Sequence, residues 1–65
     1  MPYASNDQLP PSVQQHLPRH AQDIFRKAFN RAYAHSGGDE AGAFRIAWAA
    51  VKRQYEKVGD EWLAR

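Results

Sequence analysis

Cysteine is absent from this 65-residue chain. Disulfides, thiolate metal sites and thiol nucleophiles are excluded with it. Long apolar runs are absent too: none approaches the roughly 18 residues that a membrane-crossing helix needs. The opening Met1-Pro2-Tyr3 lacks the basic and apolar regions of a secretory signal, so a cytoplasmic location is expected. Charge of one sign is also scarce, with nine basic residues against seven acidic ones and a net +2. A nucleic-acid binder would be expected to carry a denser basic stripe.

Length sets a further bound. Residues 1–65 make one domain, which buries only about 60% of the surface of its extended chain. Ordering such a chain costs about 1.5 kcal/mol per residue, which nearly cancels the hydrophobic gain. A catalytic pocket taken out of so small a core would be expensive, and the residues offer no chemistry to put in one. His16 and His20 are four apart but are separated by Pro18, so they share no continuous helix. The acidic pairs Asp39-Glu40 and Asp60-Glu61 read as a helix start and a turn, whereas glycoside-type catalysis needs two carboxylates across a cleft. Gly37-Gly38 is followed by neither lysine-serine nor lysine-threonine, as a phosphate loop would require. Ser12 and Ser36 have no general base at a useful spacing, and the three tyrosines read as half-buried rings with wet hydroxyls. The expectation is a chain that is not an enzyme and has no cofactor or metal.

The sequence does carry helical periodicity. Residues 1–8 read as a tail or a short arm lying on the domain. Leu9, Val13 and Leu17 are spaced by four, and Pro11 or Ser12 can open a short helix through about His16. Pro18 closes that element and suits the start of the next. From Arg19 to His35 the apolar positions are Ala21, Ile24, Phe25, Ala28, Phe29, Ala32 and Tyr33, an amphipathic helix ended by Ser36-Gly37-Gly38. Asp39 can cap a third helix that runs to about Glu56, with Gly42 as a weak point in its first turn. Its apolar stripe is Phe44, Ala47, Trp48, Val51 and Tyr55, widened by Ile46 and Ala50. Val58-Gly59-Asp60 turns the chain, and Trp62 and Leu63 give the last residues something to bury, as a short strand beside Tyr3. The fold class that follows is mainly α. It is a compact three-helix domain with two longer helices roughly antiparallel, a short N-terminal helix and a small two-stranded β pair between the chain ends.

Arg19, Arg26, Lys27 and Arg31 read as the solvent side of the second helix, and Lys52, Arg53 and Lys57 as that of the third. Such a face is a solvated surface by default. It also suits an acidic protein surface, and less well the phosphates of nucleic acid or lipid, since a few bases give salt-dependent affinity without base specificity.

The polar and proline positions are more specific than packing requires. The strings MPY at 1–3, LPPSVQQHLPRHAQDIFRKAFNRAY at 9–33, AFRIAWAAVKRQY at 43–55 and GDEW at 59–62 together resemble the ChaB family, small bacterial proteins named as regulators of cation transport. The resemblance spans nearly the whole chain. It implies a three-helix fold with a small two-stranded sheet, no catalytic residue, and regulation of a membrane sodium/calcium–proton antiporter. Among the matched positions, His20, Gln22, Asn30 and Lys52 are polar ones that packing explains least. With the bases they make up the candidate partner surface: Arg19, His20, Gln22, Arg26, Lys27, Asn30, Arg31, Lys52 and Arg53. Longer family members carry a charged segment between the two long helices, which shrinks here to residues 36–42. The leading expectation is a cytoplasmic protein-binding regulatory module. The alternative is a small nucleic-acid-associated protein using the basic helix faces.

Overall fold

The computed structural model describes residues 3–65. Met1 and Pro2, which open the arm and its MPY string, lie outside the described residues. A 3-10 turn at Asn6–Gln8 leads to α1 (Pro11–His16), α2 (Arg19–Ser36), α3 (Glu40–Gln54) and two strands, β1 (Tyr55–Val58) and β2 (Glu61–Ala64).

The core follows a spacing of four. Leu9, Val13, Leu17, Ala21, Phe25 and Phe29 are all buried, and so are Ala43, Ala47, Val51 and Tyr55. Residues four apart form a ridge on a helix, and two such ridges interdigitate when helices pack. The aromatic rings fix the direction: Phe25 meets Trp48 edge-on at 5.1 Å between centroids, and Phe29 meets Phe44 at 5.0 Å. Four residues forward on α2 is four back on α3, so the helices are antiparallel.

The turns obey local chemistry. Gly37 takes a left-handed conformation (φ 74°) and donates its N–H to the Tyr33 carbonyl, ending α2. The Asp39 carboxylate accepts the N–H of Gly42 at 3.1 Å and starts α3. Gly42 is there because a Cβ would stand 2.5 Å from Asp39 Oδ2. The weak point in the helix is what makes room for its cap.

Three expectations are corrected. The β pair does not join the chain ends. β1 and β2 form an antiparallel hairpin in which Tyr55 faces Ala64 and Lys57 faces Trp62. Gly59 has a positive φ and Asp60 does not, the pattern of a two-residue turn with glycine first, whose twist suits a hairpin. Second, α3 stops at Gln54 because Tyr55 is already extended (φ −131°, ψ 153°). Third, Ile46 is 55% exposed and widens no core.

Candidate partner-binding surface

The predicted partner surface divides between the two flanks of α2. Along one flank, Gln22, Arg26 and Asn30 are bound to their own chain. The Asn30 side-chain amide accepts from Tyr3 N–H and donates to Tyr3 C=O, both at 2.8 Å. A single carboxamide thus supplies what a neighbouring strand would have supplied, which is why Tyr3 needs no partner in the C-terminal tail. The Tyr3 ring lies on Phe29, with centroids 4.9 Å apart. Burial, and then the Glu40 carboxylate, raise its phenol pKa above the usual value.

One turn earlier, Asn6 sits between opposite charges. Its Nδ2 donates to Asp23 Oδ1 at 2.6 Å, and its Oδ1 accepts from Arg26 Nε at 2.8 Å. Arg26 also stands 3.7 Å from Asp23. The Asn6 hydrogen bond, followed by the charges of Arg26, Lys27 and His20, outweighs desolvation and holds the Asp23 carboxyl below the usual range. Gln22 Nε2 donates to the carbonyls of Leu17 (2.9 Å) and Gln14 (3.2 Å) and closes the end of α1. Gln14 in turn donates to the carbonyls of Leu9 and Asp7. Gln22 and Asn30, selected from the sequence as contact residues, therefore hold the N-terminal arm and α1 onto α2. Arg19 lines the same polar depression and is exposed. His20 is exposed, with its ring 6.3 Å from that of Tyr55.

The other flank of α2 faces α3 across a shallow groove. Ala28, Ala32, Ile46 and Ala50 form its apolar part, and Lys27, Arg31, His35 and Arg53 surround them. Lys27, Arg31 and Arg53 are predicted surface residues that the fold brings together. Lys52 lies outside the groove, exposed, while its carbonyl accepts from Arg65 Nε at 2.9 Å. Sequence reasoning missed Ile46 and His35 as members of this surface. The available signal was spacing: Ile46, Ala50 and Arg53 recur at helical intervals on α3 beside the buried row rather than in it. It also missed Asn6, which no periodicity marks.

Among the described residues, no group of three or more His, Asp or Glu is placed to hold a metal ion. No described helix is long and apolar enough to cross a membrane.

The ChaB family profile matches residues 9–65. The Escherichia coli K12 protein named "Putative cation transport regulator ChaB" is 41% identical over 70 aligned positions, which cover 94% of this chain and 92% of that protein. A chain of 65 residues in an alignment of 70 positions means that the relative carries inserted residues. An uncharacterised protein of the Lymantria dispar multicapsid nuclear polyhedrosis virus is 31% identical over 51 residues, covering 78% of this chain and 72% of that one. A structure titled "NMR solution structure of the putative cation transport regulator ChaB" superposes with a TM-score of 0.87 at 40% identity, covering 98% of this chain and 99% of that one. With a family match over all three helices and the hairpin, and relatives alike over nearly their full length, this chain belongs to the ChaB family.

Proposed function

We propose that this domain is a non-enzymatic, cytoplasmic regulatory module that acts by binding a protein, and that its partner is a membrane cation transporter of the sodium/calcium–proton exchanging kind. The observation that carries this reading is the near-full-length likeness to the protein named "Putative cation transport regulator ChaB". The arrangement of polar groups supports it. The side chains of Asn6, Gln14, Gln22, Arg26 and Asn30 are bound within the fold, whereas Lys27, Arg31 and Arg53 are exposed around an apolar groove. A surface of that kind serves recognition rather than turnover.

The test is recovery of partners from nuclease-treated host lysate with solubilised membranes, identified by mass spectrometry. The control carries Arg31→Glu and Arg53→Glu. Reversal at Arg26 is unsuitable, because it would break the contact with Asn6 and disturb the arm. A cation transporter enriched over the control is the expected result. Soluble partners alone would remove the transporter from the reading. Nucleic acid recovered when nuclease is omitted, with no protein partner, would favour the nucleic-acid-associated alternative.

A further inference from the structure

The groove between α2 and α3 joins two features that a merely solvated surface does not need. Its floor is apolar and built from small side chains, Ala28, Ala32 and Ala50, beside an isoleucine that is 55% exposed. Its rim is basic, and none of the chain's seven acids is among its lining residues. Two of the chain's cations are held within the fold, Arg26 by Asp23 and Asn6 and Arg65 by the end of α3. Arg31 and Arg53 make no hydrogen bond or ion pair among the described residues. Positive charge is thus gathered where apolar surface remains uncovered.

We infer that this groove receives an acidic segment of a partner protein, with an aliphatic side chain packed on Ile46 and flanking carboxylates meeting Lys27, Arg31 and Arg53. The inference rests on the protein-binding reading above and gives it a location and a chemistry. Charge complementarity selects the occupant. Phosphate backbone would satisfy the cations but leave Ile46 in water, and the groove offers no aromatic ring for a base to stack on. Carboxylates around an aliphatic anchor satisfy both parts, in the manner of an amphipathic helix laid in a groove. A second copy is the competing occupant, since the outer face of the hairpin shows Val58 and Leu63 beside Glu56 and Glu61. That contact would join two different surfaces and propagate from copy to copy unless a ring closed.

The experiment uses the full chain, isotope-labelled, and a short helical peptide with leucines on one face flanked by glutamates. A second peptide replaces the leucines with serine at unchanged charge. The expected result is binding of the leucine peptide with resonance shifts centred on Ala28, Arg31, Ile46 and Ala50. Ile46→Ser is expected to weaken it about tenfold. The Arg31→Glu/Arg53→Glu variant is expected to weaken it at least about tenfold, most at low salt. All three positions are exposed, and the same spectra verify that the variants fold. Equal affinity for the serine peptide would overturn the inference, as would shifts centred on Arg19 and Arg26. Binding to anionic vesicles unaffected by Ile46→Ser would do so as well. Sedimentation showing self-association that covers the groove would replace the partner with a second copy and overturn it too. If the double variant captures a transporter as well as the wild type does, the groove is wrong and the regulatory reading stands. If the leucine peptide docks as expected but no transporter is captured, the groove stands and the transporter falls.

Discussion

Asn30 does for Tyr3 what a β-strand would do, and the two hydrogen bonds are far apart in sequence. Asn30→Ala leaves the Tyr3 N–H and C=O without their partner and is expected to cost about 1–2 kcal/mol in urea unfolding. Exchange of the Tyr3 amide should accelerate while amides in the middle of α2 are unaffected. A loss spread evenly over the domain would mean that Asn30 acts on the helix rather than on the arm. Gly42 tests a different rule. Helix propensity alone says that Gly→Ala gains up to about 1 kcal/mol, but a Cβ there displaces the Asp39 carboxylate from its cap, and losing such a cap costs about 1 kcal/mol. Gly42→Ala should therefore be nearly neutral in the native background and stabilising beside Asp39→Ala, giving a coupling of about 1 kcal/mol in a double-mutant cycle. Additivity would rule out the contact. The Asp39 cap and the Gly37 stop were legible as sequence, since both are short-range chemistry. The work of Gln22 and Asn30 was not. A polar side chain on an amphipathic helix looks the same whether it faces a partner or its own N-terminus, and only the path of residues 3–17 decides between them.

The arm is an element held by polar contacts at its start, and one of these titrates. Asp23 has its pKa lowered in the fold, first by the hydrogen bond from Asn6 and then by Arg26, Lys27 and His20. A folded-state pKa below the unfolded one means that the contribution is complete above the ordinary carboxylate pKa, about 3.9. It is lost as pH falls through the lower folded value. The arm should thus loosen only in acid, below the usual carboxylate range, and stay closed from pH 5 upward (about one unit above that pKa). The side-chain amide resonances of Asn6, followed through an acid titration, would show this. Asp23→Asn should remove that part of the pH dependence. Persistence of the same transition in the variant would assign it to another acid. The hairpin is held differently, by Trp62 on Trp48 at 5.7 Å between centroids. Helices were readable because their periodicity lies within one segment. The strand pairing was misplaced because Trp62 announces burial without saying against what. The partner strand came from the end of α3, where Tyr55 looked like one more turn of helix.

At the scale of the whole molecule, the packed core and the open groove between α2 and α3 occupy separate regions. Phe25 and Phe29 are fully buried at the centre of the core. Phe25→Ala is expected to cost about 3–5 kcal/mol, comparable to the whole stability of a domain this size, roughly 0.05–0.15 kcal/mol per residue, so that circular dichroism should find it largely unfolded. The groove should behave in the opposite way. Lys27, Arg31 and Arg53 stand around it without an acid among the lining residues, so their like charge slightly opposes folding. Surface sites away from caps and core change stability little, and relieving a like-charge cluster changes it favourably. Arg31→Glu, on the same rim but clear of the last turn of its helix, is therefore expected to leave the fold intact and to raise the melting temperature by about 1–3 °C at low ionic strength, given the several degrees that a domain this small shifts per kcal/mol. The gain should vanish in high salt, where the repulsion it relieves is screened. The same substitution is expected to weaken an acidic partner, so binding and stability move in opposite directions, as they do where a surface is kept for use rather than for folding. A fall in melting temperature that high salt does not reverse would show that Arg31 is structural and would remove it from the proposed binding surface.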